Sequence, residues 1–169
     1  MSSDSSQTRV FLVNDSTGQN NWGCRATTIG LAKLISEAGG NVVGRLRHFP
    51  STRPGSLRDL ALATARLNRR IEPVLRRAYS ILRSDSIPRS VSEFDKVANA
   101  VDAGRLWRDT RDEMAHSDFV LVNGEGSIYA DEAKGYRELF WAWYGKERLG
   151  KRVAIVNHTA DLSSPMLRA

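Results

Sequence analysis

A single cysteine, Cys24, leaves this 169-residue chain without an internal disulfide, and with only three histidines no Cys/His cluster offers a zinc site. Apolar runs are only a few residues long, Phe119–Val122 among them, far short of the roughly 20 that cross a bilayer. The opening Met-Ser-Ser-Asp-Ser-Ser-Gln-Thr-Arg holds no apolar stretch of the secretory kind. Hydrophobic residues nevertheless make up 41% and charged residues 26%, a globular composition with enough length for a real core. These features predict a soluble, cytoplasmic protein with a disordered polar leader over 1–8 and one domain over 9–169.

Lysine is scarce and arginine is not. Twenty of the 25 basic residues are arginine, and against 19 acidic residues they give a net charge of +6. Eleven arginines fall between Arg45 and Arg89, where Asp59, Glu72 and Asp85 are the only acids, so this segment carries +8 and the remainder −2. Such a segment suits nucleic acid, an anionic membrane surface at the inner face of the membrane, or an acidic substrate. It also suits a solvated helix face, because the arginines are not interleaved with aromatics. Leu57, Leu60, Thr64, Leu67, Ile71, Val74, Ala78 and Ile81 form one helical stripe through it, which Pro73 should kink or divide.

Around this segment the pattern alternates. Arg9–Asn14 reads as a buried strand, 26–38 as an amphipathic helix with Ile29, Leu31, Leu34 and Ile35 on its apolar face, and Asn41–Arg47 as a second strand after the Gly39-Gly40 stop. Ser90 and Glu93 have capping-box spacing before a helix through Phe94, Val97, Ala98 and Val101. After Gly104 the stripe resumes at Leu106, Trp107, Thr110 and Met114. Asp118–Val122 and Lys151–Val156 read as strands on either side of an aromatic helix over 131–149, and Ser164-Pro165 as the start of a further helix. The fold class expected is α/β: a Rossmann-like open parallel sheet of at least four strands with flanking helices.

Ligands of such sheets bind at the carboxyl ends of the strands, so three loops there are the candidate site. Asn20-Asn21-Trp22-Gly23-Cys24-Arg25 precedes a helix: glycine admits a close backbone approach, the helix start offers free amides, and Arg25 brings fixed charge. No second and third glycine follow at dinucleotide-fingerprint spacing. Asn123-Gly124-Glu125-Gly126-Ser127 would hold a carboxylate with little cover, fit to act as a general base on a sugar hydroxyl or to hydrogen-bond an acceptor, with Tyr129 a weaker contact. The third loop places His158 after a strand, where an imidazole suits proton transfer. Plainer roles stand beside each: a strand-to-helix turn, a helix cap or arginine partner for Glu125, and a structural histidine. Cys24 reads as a small buried residue, His48 and His116 as turn residues without partners, and Trp143 or Tyr144 as side chains that could reach a sugar face.

Together these loops resemble the polysaccharide pyruvyl transferase family. That family opens with a strand and an Asn-x-Gly-Asp stretch entering a helix; here Asn21-Trp22-Gly23 stands before the helix. It continues with an Ala/Ser-Asp pair, a strand and a glycine-triplet loop; here these are Ser117-Asp118, Phe119–Val122 and Gly124-Glu125-Gly126-Ser127. The strand Lys151–Val156 is similar to its Gly-Lys-Pro-Val segment. The likeness spans roughly 9–45 and 117–160 and departs at two points, where Cys24 replaces the family aspartate and Glu125 the middle glycine. It implies the N-terminal lobe of a GT-B-like, two-lobed enzyme. The donor would be phosphoenolpyruvate, as a substrate with no further cofactor and no metal. The acceptor would be a glycan or lipid-linked saccharide, and a C-terminal lobe or partner subunit would complete the cleft. On it Glu125 and His158 are the catalytic candidates, with Asn20, Asn21, Trp22, Gly23, Arg25, Asn123, Gly124, Gly126, Ser127 and Tyr129 binding substrate. The same fold also admits a sugar-nucleotide glycosyltransferase, and the arginine segment a non-catalytic module for anionic polymers or glycans.

Overall fold

In a computed structural model the described residues are 7–47, 88–126, 128 and 133–158. Most of the arginine segment, with its stripe over 57–81, lies outside them, as do Ser127, Tyr129 and the helix start at Ser164-Pro165. Four strands form one parallel sheet in the order β2-β1-β3-β4: β1 (Thr8–Asp15), β2 (Gly40–Arg47), β3 (Phe119–Asn123) and β4 (Arg152–Val156). β1 runs into α1 (Trp22–Glu37). Between β2 and β3 lie a 3-10 turn at Val91–Glu93, α2 (Phe94–Asp102) and α3 (Arg108–Ala115). Helix α4 (Ala133–Trp143), extended by a π-helical turn at Tyr144–Arg148, joins β3 to β4.

Period-two alternation along each strand feeds two cores, one on either face of the sheet. Val10, Leu12 and Leu121 pack with Ile35 beneath α1. Phe11, Val13, Val120 and Val122 face Phe94, Val97, Val101, Met114, Phe140, Trp141 and Tyr144 from the other helices. The aromatics of α4 interlock: Phe140 stands edge-on to Trp141 at 5.2 Å, and Trp107 to Trp141 at 6.1 Å. The hydroxyl of wholly buried Tyr144 donates to Asp102 Oδ1 at 2.5 Å. Burial first, and then Asp102, push that phenol up to about 12, so it stays a neutral donor.

Several expectations need correction. The first strand runs Thr8–Asp15, one residue longer at each end than the Arg9–Asn14 expected, and residues 1–6 of the leader lie outside the described residues. Helix α1 starts at Trp22, a turn early, because Asn21 caps it through a bond from Gly23 N–H to Asn21 Oδ1 at 2.9 Å. On the face expected to be buried, Ile29 is 53% and Leu34 61% exposed, while Thr28 is enclosed. The capping box is replaced by a bond from the Arg89 backbone N–H to Glu93 Oε2 at 2.7 Å, while Ser90 pairs with Ser92. Tyr144 is wholly buried and so presents no sugar surface, while half-buried Trp143 packs against Phe94 and Phe140. His116 has a partner, its Nδ1 lying 2.6 Å from the Asp112 carbonyl. Cys24 is half-buried rather than enclosed.

At the amino edge of the sheet, Asp118 is bound by the Arg9 backbone N–H at 2.9 Å and by its guanidinium at 2.8 and 3.2 Å. The Ser-Asp pair that carries part of the family likeness therefore clasps β1 to β3 at the end opposite the loops. The Arg9 side-chain bonds, then its N–H, hold the Asp118 carboxyl down at about 2 from an ordinary 3.8. Its stabilising effect is accordingly full above about pH 4 and disappears as the pH falls through about 2. Thermal melts from pH 7 to pH 2 should show Asp118→Asn less stable at neutral pH and converging on the wild type at the acid end. A constant difference across that window would remove Asp118 from this role.

Candidate functional site

The chain leaves β1 toward β2 on one side and later returns to place β3 on the other. The carboxyl ends of β1 and β3 therefore flank the topological switch point, where loops diverge to opposite faces and leave a crevice. Val13 pairs with Val122, so the next residue on each strand, Asn14 and Asn123, meets at the floor of that crevice.

The floor is a hydrogen-bonded rail of amides. Asn14 Nδ2 donates to the Asn123 carbonyl at 2.6 Å, Asn123 Nδ2 to Thr28 Oγ1 at 3.2 Å, and Asn157 Nδ2 to Asn123 Oδ1 at 3.0 Å. Thr28 in turn lies 2.6 Å from Ser16 Oγ, which also reaches the Cys24 carbonyl at 2.5 Å. Asn14 and Asn157 adopt left-handed backbone angles, φ 62° and 53°, which asparagine tolerates better than most residues. Both segments thus turn sharply as they leave the carboxyl edge of the sheet. Next to the rail, the buried Asp15 carboxylate accepts from Thr17 N–H at 2.9 Å and lies 3.5 Å from the Arg45 guanidinium.

Above the floor, the structure brings parts of all three loops together. The Thr27 hydroxyl, on the second turn of α1, lies 2.9 Å from the Gly23 carbonyl and 3.1 Å from Glu125 Oε1, sharing its one proton between them. Glu125 is thereby tied to the start of α1 across 98 residues of sequence. Gly124 N–H donates to the Val156 carbonyl at 2.9 Å, and a Cβ at Gly124 would stand 2.6 Å from His158 Cβ. Only glycine admits His158 this close to the Glu125 loop. Gly126, with φ 54°, takes the turn beyond it, and its carbonyl accepts from Lys134 Nζ at 3.3 Å.

The candidates divide by position. Glu125 and His158 line the rim, Glu125 half-buried and His158 exposed. Trp22, Gly23 and Arg25 belong to the first turn of α1 and not to a loop, and the Arg25 guanidinium sits 4.9 Å from the Trp22 ring centroid. Asn20 is exposed, Asn21 is spent on the cap, and Asn123 is wholly enclosed in the rail. Sequence reasoning passed over Asn14, Asp15 and Thr28. A signal was present for the rail: Val-Asn recurs within one residue of the carboxyl ends of β1, β3 and β4, at Val13-Asn14, Val122-Asn123 and Val156-Asn157.

No helix among the described residues is long and apolar enough to cross a membrane, and none of their acidic, histidine or cysteine side chains groups into a metal site. No family model, curated protein or solved structure matches the chain.

Proposed function

We propose that this chain is the acceptor-side lobe of a pyruvyl transferase-like enzyme, positioning a saccharide for ketal formation from phosphoenolpyruvate. The observation that supports this reading is the Thr27–Glu125 bond at 3.1 Å, because Thr27 also bonds the Gly23 carbonyl and so joins two of the segments that carry the resemblance, Asn21-Trp22-Gly23 and Gly124-Glu125-Gly126, at one crevice. Ketal transfer consumes one phosphoenolpyruvate and two hydroxyls and yields one ketal and one inorganic phosphate. The carbon that bears the enol phosphate accepts the first hydroxyl oxygen while its methylene gains a proton to become methyl, and the second hydroxyl then displaces phosphate from the same carbon, its proton leaving with the phosphate.

In this scheme Glu125 removes the proton from an attacking hydroxyl, taking the part for which Cys24, in place of the family aspartate, has no carboxylate. His158, held against Gly124, is the second proton-transfer group at the rim. A GT-B-like partner lobe, in the same or another chain, would bring the donor. The test is independent of the acceptor's identity: glycans from cells with and without the gene are hydrolysed and their ketal-bound pyruvate measured. Loss of that pyruvate is expected when the gene is removed. An unchanged content would overturn the proposal, and nucleotide-sugar turnover with phosphoenolpyruvate ignored would replace it with glycosyl transfer on the same fold.

A further inference from the structure

Among the described residues Trp22 is the most exposed large hydrophobic side chain, at 73%. An indole left in water forgoes burial worth about 2 kcal/mol or more, and its surroundings are not those of a loose surface residue. It is the first residue of α1, whose start is fixed by the Asn21 cap, and the Arg25 guanidinium lies 4.9 Å from the centroid of its ring. A cation against the ring restrains the indole and leaves the rest of its surface to solvent.

Position decides what such a surface can meet. Helix α1 begins at the carboxyl edge of the sheet, and helical side chains lean toward the helix start, so Trp22 stands at the edge where the crevice opens. Its neighbour Gly23 offers the carbonyl that Thr27 shares with Glu125, so two hydrogen bonds separate the turn bearing Trp22 from the Glu125 carboxylate. Asn20 and His158 are exposed at the same edge. A flat apolar ring among amides, a carboxylate and a guanidinium matches a pyranose, which has an apolar C–H face and a perimeter of hydroxyls. A protein partner would need a broader apolar face: on this side of α1 Trp22 is accompanied by Ala26 and Ile29, and the exposed Lys33 ends the run one turn later. Ile29 lies about 10 Å further along the axis, and Leu34 is turned well away from both.

Building on the saccharide-acceptor reading, we propose that Trp22, braced by Arg25, is a stacking platform that takes one pyranose ring of the acceptor and presents its hydroxyls toward Glu125. The platform selects for sugars with an uninterrupted C–H face, and Arg25 favours those carrying a carboxylate or phosphate.

The experiment probes a printed array of neutral and acidic oligosaccharides with the whole protein and with Trp22→Ala, Arg25→Met and Leu34→Ala. Wild type should bind at least one saccharide, Trp22→Ala should lose tenfold or more, Arg25→Met several-fold, and Leu34→Ala nothing. Because Trp22 is exposed, its variant should keep the wild-type melting temperature, so lost binding is not lost fold. The platform is overturned if wild type binds no saccharide, if Trp22→Ala binds as well as wild type, or if Leu34→Ala loses as much. It is equally overturned if sedimentation shows self-association that needs Trp22 in place of saccharide binding, which would assign the face to a second copy. Trp22-dependent saccharide binding in a protein whose gene loss leaves glycan pyruvate unchanged would uphold the platform and refute pyruvyl transfer, so the two failures can be told apart.

Discussion

Glu125→Gln is expected to lower pyruvyl transfer about 10²- to 10⁴-fold, the range over which a positioned general base contributes. The substitution is nearly isosteric, and glutamine keeps an oxygen that can accept from Thr27, so the bond at 3.1 Å and the fold should survive. What it lacks is a site for a proton. The effect should therefore fall on kcat, with KM for the acceptor close to wild type, since a group acting only in the transition state adds little to ground-state binding. Phosphate release with the complete enzyme and its acceptor supplies both constants. Turnover within twofold of wild type would exclude Glu125 as the base.

A clear loss of stability should come from Asn123→Ala, roughly 1–3 kcal/mol, because it deletes a fully buried amide that links α1 to the end of β4. The amide of Asn123 bonds Asn157 at 3.0 Å and Thr28 at 3.2 Å, in a position fully closed to water. Alanine removes both bonds at once; Thr28 Oγ1 keeps its contacts to Ser16, and the exposed Asn157 turns to water. Urea titration of the wild type and variant measures the difference. A loss below about 0.5 kcal/mol, the level of an ordinary surface change, would show that the rail is dispensable. Because Thr28 belongs to α1 and Asn157 precedes His158, hydrogen exchange in the variant should quicken at both the start of α1 and the end of β4.

Which parts of this molecule could be read from the sequence follows from the range of the forces involved. The strands were legible because parallel strands buried on both faces are written as unbroken apolar runs, Val10–Val13, Phe119–Val122 and Val153–Val156. Sheet membership followed from the alternation of strand and helix. The start of α1 was misplaced because Gly23 reads as a loop residue until the Asn21 cap is seen to set the helix one turn earlier. The exposure of Ile29 and Leu34 could not be foreseen, since periodicity tells which residues share a face but not whether anything covers it.

Glu125 and His158 were found because glycines and strand ends are local signals, whereas their shared location became visible only in three dimensions. The amide rail was the least legible element. Asn14 meets Asn123 across 109 residues, and one asparagine at a strand end is indistinguishable from any other turn residue. Only the threefold recurrence of Val-Asn points to a common layer.

That rail has a chemical consequence of its own. Asn123 is followed by glycine, the peptide most prone to ageing in a free chain: the glycine nitrogen attacks the side-chain amide, expels ammonia and leaves a succinimide that opens to aspartate or isoaspartate. In the native fold the Gly124 N–H is committed to the Val156 carbonyl at 2.9 Å, and the Asn123 amide is held by Asn157 and Thr28. The ring can close only when the strand ends come apart. Isoaspartate at position 123 would thus accumulate as a clock of the time each molecule has spent open, and its extra backbone carbon would bar the aged chain from re-forming the crevice.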